Sequence, residues 1–396
     1  MSNTAPRIAI VGAGIIGLSL ARALGVLGAK VTVFERSHLG AGTSSRTFAW
    51  INSNGKKPLS YHALNCAAMQ EHVGLQAASR TEARWLDVCG TFEWASRSDE
   101  QDRLQTRANS LQALGYPASP VSRAYLQARI PELRIDRHSG AIWHFPAEAL
   151  VHPSILLAHL WSEARAHGAT MHQHTDVLDV AETSDGVTLE LSSTEPWHGD
   201  YCVLATGRWT PQLTARLNAR LAMLDADRRD KRACGFLAVT APQYVQLRAN
   251  LITPDMNVRP DGGGRLLLQA PDLDDRADPA FPAARDGAVG QEMLTRLHRL
   301  FANTTSASIE TLAVGQRSRP ADGLPAVGFL TDRQRTYLVA THSGMTLGPL
   351  LGRLVGEELV QQRRSPLLQD FAPQRLLNRD AKEFSPIATI HYPAEQ

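Results

Sequence analysis

A glycine-rich turn follows the first apolar run of the chain and constrains the fold more than any other feature. Residues 8–11 have the composition of a short buried strand, and Gly12, Gly14 and Gly17 follow it with the spacing GxGxxG. The first glycine permits a tight turn, the second lets the backbone approach a pyrophosphate, and the third lets the following helix pack against its strand. We expect that helix at residues 15–27, with its N-terminus facing the phosphates.

The second predicted strand, residues 30–35, ends in the acidic residue Glu35. This acid follows the glycines by about twenty residues, the usual distance for a carboxylate that binds the hydroxyls of a ribose. A glycine-rich turn alone is weak evidence, but here a strand, a helix, a second strand and a terminal acid occur in the required order. The sequence therefore predicts an α/β fold with a dinucleotide-binding site. The alternative is a structural turn followed by a surface glutamate.

The composition is that of a globular protein that binds neither nucleic acid nor an anionic membrane. The 396 residues are 43% hydrophobic, which is enough for about two or three domains with sizeable cores. The formal net charge is +2, from 41 basic and 39 acidic residues, so no strongly basic surface is indicated. No apolar segment is long enough to cross a bilayer, and we expect a cytoplasmic protein.

The cysteines give no sign of a metal site or a disulfide framework. Cys66, Cys89, Cys202 and Cys234 are widely separated and form no CxxC pair. They are predicted to be small buried residues in a reducing compartment, and no metal is predicted.

The rest of the chain alternates between parts that suit the first domain and parts of different character. A long loop is expected at residues 40–50, and further helices at 58–79, 99–114, 153–167 and 348–360. Buried or parallel strands are expected at 170–180, 187–191, 200–207 and 336–340. Strand-like runs at 234–240, 256–259 and 264–269 are separated by turns, which is typical of an antiparallel sheet.

This organisation predicts a discontinuous nucleotide-binding domain of residues 1–85, 145–215 and 315–370. Residues 86–144 and 216–314 are expected to form a second domain that holds the substrate. Residues 371–396 are expected to be a C-terminal tail.

Several motifs, in order along the chain, resemble those of one family. Besides the glycines and Glu35 they are residues 43–46 (TSSR), 204–209 (LATGRW), 315–328 (GQRSRPADGLPAVG) and 340–349 (ATHSGMTLGP). Together they are similar to the D-amino-acid oxidase family of FAD-dependent oxidoreductases, which includes glycine oxidase, sarcosine oxidase and D-amino-acid dehydrogenase. The resemblance implies a Rossmann-type FAD-binding domain, like that of glutathione reductase. An α+β substrate domain built on an antiparallel sheet would be inserted into it.

The resemblance also implies FAD as the cofactor, and the sequence favours noncovalent binding. Some relatives attach the flavin through a cysteine near the position of Gln316 or through a histidine in the loop after the first βαβ unit, and neither occurs in those places here. Backbone N–H groups of residues 344–347 would face the pyrimidine end of the flavin and stabilise its reduced form. A glycine-rich turn before a helix is the alternative. The residues expected at the cofactor are Gly12, Gly14, Ile15, Ile16, Gly17, Glu35, Arg36, Thr43, Ser44, Ser45, Arg46, Val177, Ala205, Thr206, Gly207, Trp209, Gly344, Met345, Thr346 and Leu347.

Arg317 and His342 are expected to act at the reacting centre. In glycine oxidase-like sequences an arginine at the position of Arg317 pairs with the substrate carboxylate, which a planar guanidinium can hold with two hydrogen bonds. This sequence has Ser318 and Arg319 where the family usually has Gly-x-Arg-Pro, so the choice between Arg317 and Arg319 stays open. A structural salt bridge of Arg317 is the alternative, and His342 would either adjust the flavin or form a structural hydrogen bond. The residues expected to line the substrate pocket are Trp50, Tyr61, Trp143, His144 and Arg259.

The resemblance implies that the protein oxidises the C–N bond of an amine or amino acid. Hydride transfer to FAD would give an imine that water hydrolyses, and a neutral amine would need no general base. The substrate would be a D-amino acid or a secondary or N-methyl amino acid, and the acceptor oxygen, a quinone or another carrier. Some oxidases of the family use a lysine near the flavin, and residues 234–269 contain none, which slightly favours a dehydrogenase. The alternatives are a flavin-binding subunit of a heteromeric amine dehydrogenase and a nicotinamide-dependent reductase, and the oligomeric state stays open.

Overall fold

The computed structural model describes residues 5–136, 139–193, 195–281 and 283–385. These residues contain eight α-helices. They are α1 (Ile15–Val26), α2 (Leu59–Ala78), α3 (Ser98–Ala113), α4 (Arg123–Arg129), α5 (Pro153–Ala166), α6 (Thr210–Arg216), α7 (Ala288–Leu300) and α8 (Gly344–Gln361). Among the helices described, none has both the length and the apolar character that a membrane span requires.

A six-stranded sheet carries the glycine-rich turn. Its strands are β1 (Arg7–Val11), β2 (Lys30–Phe34), β9 (Thr170–His172), β13 (Tyr201–Leu204), β19 (Ala326–Phe329) and β20 (Thr336–Ala340). Their spatial order is β19–β20–β13–β1–β2–β9, and all neighbours are parallel except β19 and β20. Helices cover parallel strands on both faces, which explains the nearly continuous apolar sequences of β1, β13 and β20.

Glycines allow α1 to pack closely on β1 and on α8. A Cβ on Gly352 would lie 2.5 Å from the carbonyl oxygen of Ser19, and a Cβ on Gly17 would overlap the carbonyl oxygen of Gly12. Neither position can accept a side chain without displacing the backbone. Since α1 follows β1 and α8 follows β20, both helices begin at the carboxyl end of the sheet.

The last helix, α8, begins at Gly344, whereas the sequence predicted its start at residue 348. Pro349 lies inside the helix and has no N–H to donate to the carbonyl oxygen of Met345, one turn earlier. His72 of α2 supplies the missing donor, because its Nε2 lies 2.8 Å from that oxygen. The first turn of α8 is therefore stabilised by a residue that is remote in sequence.

The second large sheet has eight strands and is antiparallel at every pair except β15–β5. The strands are β5 (Thr91–Glu93), β6 (Ser119–Val121), β7 (Ile142–Phe145), β14 (Cys234–Thr240), β15 (Asn250–Ile252), β16 (Asn257–Pro260), β17 (Leu266–Gln269) and β18 (Ile309–Gln316). Their order is β18–β14–β17–β16–β15–β5–β7–β6. The predicted fold class, a parallel nucleotide-binding sheet with an additional antiparallel sheet, is confirmed.

Two smaller sheets complete the fold. One contains β3 (Trp50–Ile51), β4 (Leu86–Asp87) and β8 (Ala149–Val151), and the other β10 (Val177–Glu182), β11 (Val187–Leu191) and β12 (Trp197–Gly199). The prediction of one strand over residues 170–180 is wrong, because β9 and β10 belong to different sheets. His174 lies between them with φ at 55°, a left-handed conformation that ends an extended strand.

The first residues of the expected C-terminal tail pack on the six-stranded sheet. Phe371 and Leu376 are fully buried, and the Arg375 Nε lies 2.7 Å from the Asp322 carboxylate. Residues 386–396, the last part of the tail, lie outside the described residues.

Candidate active site

A cleft of about 580 Å³ opens at the carboxyl end of the six-stranded sheet, where β1 leads into α1. It brings together segments that are far apart in the sequence. The expected cofactor residues that line it are Gly12, Gly14, Ile15, Ile16, Glu35, Arg36, Thr43, Ser44, Arg46, Val177, Ala205, Thr206, Gly207, Trp209, Gly344 and Met345.

Glu35 connects the end of β2 to the glycine-rich turn. Its Oε2 accepts a hydrogen bond from the Ala13 N–H and its Oε1 accepts one from the Ser37 N–H, both at 2.9 Å. A carboxylate has about four acceptor positions, so both oxygens can accept further hydrogen bonds. The side chain is thereby fixed at the wall of the cleft with spare acceptor capacity.

The N-terminus of α1 lies at the floor of the cleft, beside Ser44. The Ile15 N–H donates to the Ser44 Oγ at 3.0 Å, and a Cβ on Gly14 would come within 3.1 Å of the same oxygen. The absence of a side chain at Gly14 therefore lets Ser44 approach the first turn of α1, and both residues line the cleft. Unpaired N–H groups at such a helix start favour a bound anion.

Trp209 forms an aromatic surface in the cleft with two arginines against it. The guanidinium carbons of Arg36 and Arg208 lie 3.7 and 3.6 Å from the centre of the indole ring. Arg208 also contacts the Asp227 carboxylate at 3.2 Å. These contacts hold the indole in place in the cleft, which Val177 also lines.

A smaller cavity of about 100 Å³ lies at one end of the cleft. Its other walls come from the antiparallel sheet, at Gly235, Leu237, Gln269, Gly315 and Arg317, and from the end of the long loop and the residues that follow it. Residues that line both the cleft and the cavity mark the place where the two spaces meet. They are Thr43, Arg46, Thr47, His342 and Met345.

Arg317 lines this cavity from the end of β18 and is 8% exposed. Its Nη2 lies 3.2 Å from the Asp274 Oδ2, and its Nη1 donates to the Lys231 carbonyl oxygen at 2.7 Å. The salt bridge that the sequence left as an alternative is therefore present. It fixes the guanidinium in the cavity wall rather than removing it from the cavity.

Arg319 is also buried but does not line the cavity. Its Nη1 donates to the Arg232 carbonyl oxygen at 3.2 Å, and its Nε has no hydrogen-bond partner among the described residues. Burial, and then the nearby Arg317, lower the pKa of Arg319 to about 10. Arg319 therefore adds a positive charge behind the cavity. Among the described residues, no carboxylate forms a salt bridge with Arg319.

His342 and Lys56 line the same cavity, and both have lowered pKa values. Burial, followed by the charges of Arg319, Arg317 and Lys56, lowers the pKa of His342 well below its usual value. Burial and Arg319 lower the pKa of Lys56 to about 8. His342 is thus neutral at physiological pH, and the local electrostatic potential is positive.

Trp50 lines the cavity and is held by a buried acid. Its indole N–H donates to the Glu148 Oε2 at 2.8 Å, and the Tyr116 hydroxyl donates to the Glu148 Oε1 at 3.0 Å. Glu148 is fully buried, and burial raises its pKa to about 7. This network fixes the orientation of the Trp50 ring in the cavity wall.

Several expected site residues do not line the cleft. Gly17 packs on Gly12, Ser45 is exposed, and Thr346 reaches the small cavity only. Leu347 is in the core, and the Tyr61 hydroxyl lies 2.7 Å from the Ser343 Oγ.

Three residues that were expected to line the substrate pocket make other contacts instead. Trp143 lies in the main core, and His144 stacks on Phe92 with the ring centres 4.3 Å apart. The fully buried Arg259 donates to the Phe48 carbonyl oxygen at 2.6 Å and pairs with Asp261 at 3.1 Å.

Sequence reasoning missed some lining residues of both spaces. They are Thr175, Asp176, Arg208, Gln212 and Arg216 in the cleft, and Asn52, Lys56, Gly235, Leu237 and Gln269 in the cavity. Arg208 lies inside the 204–209 motif and could have been found there. The cavity residues carry no local signal, because the packing of remote segments brings them together.

Comparison with known proteins agrees with this geometry. Residues 7–358 match the family described as FAD dependent oxidoreductase. The chain is 26% identical over 385 residues to the glycine oxidase of Geobacillus kaustophilus (strain HTA426), with 95% of this chain and 97% of that protein covered. It is 25% identical over 391 residues to the glycine oxidase of Pseudomonas aeruginosa PAO1, with 93% and 97% covered.

The fold is also that of a solved structure. The glycine oxidase of Geobacillus kaustophilus superimposes with a TM-score of 0.81 at 23% identity, over 93% of this chain and 99% of that chain. The match to the family extends over most of the sequence and includes the cleft and the cavity. This chain therefore belongs to the FAD dependent oxidoreductase family, which is the D-amino-acid oxidase family that its motifs resemble.

Proposed function

We propose that this enzyme oxidises the C–N bond of an amino acid or of another amine that carries a carboxylate. The observation that carries the proposal is Arg317, a buried guanidinium in the wall of the small cavity that joins the cofactor cleft. The glycine oxidase relatives, which match nearly the whole chain, support this substrate class. Membership of the family leaves a nicotinamide-dependent reductase without support.

The residues of the cleft fit FAD. Glu35 offers free acceptor positions for ribose hydroxyls, and the start of α1, which lines the cleft at residues 14–16, suits a pyrophosphate. At the other end, the first N–H groups of α8 have no partner within the helix, and they suit a flavin ring that becomes negatively charged. When bound, FAD supplies the acceptor for the hydride that leaves the substrate carbon.

Arg317 would bind the substrate carboxylate and orient the α-carbon. Asp274 and the Lys231 carbonyl oxygen already hold the guanidinium, so little side-chain entropy is lost when a carboxylate binds. Arg319, behind the cavity, would add to the attraction without touching the substrate.

The positive potential would also select the protonation state of the substrate. Arg317, Arg319 and Lys56 favour a carboxylate in the cavity and disfavour an ammonium group. The amino group would therefore be held in its neutral form, whose lone pair assists the departure of the hydride. The neutral His342 fits this scheme, because it adds no further positive charge and is not needed as a base.

The electron acceptor stays open between oxygen and a quinone or other carrier. The absence of lysine from residues 234–269 slightly favours a dehydrogenase. In the structure, however, Lys56 lines the cavity from a different segment, so the cavity has a lysine after all.

The test is anaerobic reduction of the FAD-loaded enzyme, followed by its visible absorbance. The panel contains D-amino acids, glycine, sarcosine and other N-methyl amino acids, cyclic imino acids, and the corresponding amines without a carboxylate. We expect bleaching by at least one carboxylated amine, with formation of an oxo acid and release of an amine or ammonia. Bleaching by carboxylate-free amines alone would contradict the proposal. Admission of air afterwards distinguishes an oxidase from a dehydrogenase.

A further inference from the structure

A further cavity, larger than the 100 Å³ cavity that Arg317 lines, adjoins the candidate active site. It has a volume of about 930 Å³ and lies between α3 and residues 55–59. Lys56 lines both this space and the 100 Å³ cavity that contains Arg317. Lys56 therefore stands between the candidate site of chemistry and the larger space, which we call the α3 cavity.

The walls of the α3 cavity are mainly apolar. α3 contributes Leu104 and Leu111 to them and the residue pair after β5 contributes Trp94 and Ala95, while Leu59 and Leu114 also line the cavity. Leu59 is 65% and Leu114 50% exposed, which makes them two of the few large hydrophobic side chains that face solvent in the described residues. The apolar lining residues are Pro58, Leu59, Trp94, Ala95, Leu104, Leu111, Leu114, Ile252 and Pro254. Exposed apolar side chains that gather around one cavity are typical of a ligand site.

The charges of the α3 cavity are largely neutralised. Glu93 and Arg107 form an ion pair at 2.5 Å, and Arg103 pairs with Asp99 at 2.7 Å. The remaining charged lining residues include both signs, with Glu100 and Asp102 opposite in charge to Lys57. The cavity therefore has no strong preference for a charged ligand, in contrast to the positive space around Arg317.

The small cavity around Arg317 and the α3 cavity differ greatly in volume. Ligand pockets usually measure about 300–1,000 Å³. The 100 Å³ cavity is below this range and the 930 Å³ cavity is within it. A substrate larger than glycine that is held at Arg317 thus needs additional room, and the α3 cavity offers it next to Lys56.

We propose that the α3 cavity binds the apolar, non-reacting part of the substrate. The substrate would then be an amino acid with a long apolar side chain or a long N-alkyl group, rather than glycine or sarcosine. This inference rests on the proposed function, because it assumes that the carboxylate is held at Arg317. The carboxylate would lie in the positive cavity, and the alkyl or aryl group would extend past Lys56 into the α3 cavity.

The first experiment measures how chain length affects catalysis. The probes are D-alanine, D-norvaline, D-norleucine and D-phenylalanine, and a parallel series of N-alkylglycines. We expect kcat/KM for anaerobic flavin reduction to rise roughly fourfold for each added methylene group, as for transfer of a methylene out of water. Equal values for short and long members of both series would overturn the inference.

A variant of α3 with a matched control tests the location. Ser110 lines the α3 cavity, whereas Gln105 is exposed and does not line it. Because an α-helix turns by about 100° per residue, Gln105 and Ser110 lie on different faces of α3. Ser110→Trp should lower kcat/KM at least tenfold for the long substrates and leave alanine unchanged, whereas Gln105→Trp should change neither. Equal effects of the two variants would contradict the assignment.

Binding without turnover provides a second readout. Butanoate, hexanoate and octanoate can be titrated into the FAD-loaded enzyme and followed by the flavin spectrum. Affinity should rise with chain length in the natural protein and in Gln105→Trp, but not in Ser110→Trp. If Ser110→Trp instead raises KM for a soluble quinone and leaves the substrates and carboxylates unchanged, the cavity binds the acceptor and the inference is wrong. If no carboxylated amine bleaches the flavin, the proposed function itself fails.

Discussion

The guanidinium of Arg317 and the carboxylate of Asp274 form a buried ion pair, with Nη2 and Oδ2 3.2 Å apart. The Phe236 N–H also donates to the Asp274 Oδ1 at 2.8 Å. Burial nevertheless raises the pKa of Asp274 to about 7, although Arg317 favours its ionised form. Asp274 thus fixes the arginine and, when ionised, competes with any substrate carboxylate for its charge.

Carboxylate binding should depend on the protonation of Asp274. As the pH falls through about 7, Asp274 gains a proton and its competing charge is lost, so a carboxylate ligand should bind more tightly. The dissociation constant of acetate or benzoate, followed by the flavin spectrum, measures this effect. Asp274→Asn should bind tightly across the whole range. The control is Glu292→Gln, which removes an acid that pairs with Arg296 at 2.8 Å and should retain the natural pH dependence. Loss of that dependence in the control alone would contradict the account.

His72 should stabilise the protein through the first turn of α8. His72→Leu leaves the Met345 carbonyl oxygen without its donor and should cost about 1–3 kcal/mol in the free energy of unfolding. In that background, Pro349→Ala restores an N–H at the position from which a regular helix would donate to the same oxygen. Urea unfolding of the two single variants and the double variant measures the coupling. Additive effects of the two changes would show that His72 does not replace the missing N–H.

Because of Glu148, the free energy of unfolding of the protein should decrease as the pH rises. Burial raises the pKa of Glu148 to about 7, so between the unfolded-state pKa of about 4.5 and this value the folded state holds more protons. The free energy of unfolding therefore falls as the pH rises through this window. Glu148→Gln keeps an acceptor for Trp50 or Tyr116 and should remove this decrease. Thermal unfolding at about pH 5 and pH 8 measures it, and parallel curves for the two proteins would be evidence against a buried, protonated Glu148.

Glu35 should contribute directly to FAD affinity. Glu35→Ala removes the acceptor for the Ala13 and Ser37 N–H groups and for a ribose, so FAD should bind about 10- to 100-fold more weakly. Quenching of FAD fluorescence during reconstitution of the apoprotein gives the dissociation constant. Glu190→Ala, at an exposed position of β11, should leave it unchanged. A loss of affinity equal to that of Glu35→Ala in this control would point to an effect of overall charge.

The parts of the fold that sequence analysis could predict are those specified by local patterns. The turn at Gly12, the helix α1 and the strand before Glu35 depend on residues close in sequence, and the sequence located them within a residue or two. The start of α8 was missed because Gly348 and Pro349 indicate a helix boundary when considered alone. The donor that compensates for the proline is His72, which no local pattern connects to α8.

The same distinction applies to the candidate site. Most of the expected cofactor residues line the cleft because they occur in contiguous motifs at the ends of strands. The substrate side depends on which residues of the antiparallel sheet face the cavity, and strand register decides this. Arg259 of β16, for example, donates to the Phe48 carbonyl oxygen instead of lining the cavity. Lys56 reaches the cavity through packing between segments remote in sequence.

The most direct test of the proposed function compares a carboxylated substrate with its decarboxylated analogue. Arg317 would be changed to Met together with Asp274→Asn, so that no buried charge is left without a partner, and Arg319→Met in the same Asp274→Asn background would serve as the matched variant. Anaerobic flavin reduction would be measured for an active amino acid and for the amine that lacks its carboxylate. The account predicts that the Arg317 variant loses about 100-fold or more in kcat/KM for the amino acid and little for the amine. It also predicts a smaller loss for Arg319→Met. Equal losses for both substrates, or the larger selective loss in Arg319→Met, would contradict the assignment of the carboxylate to Arg317.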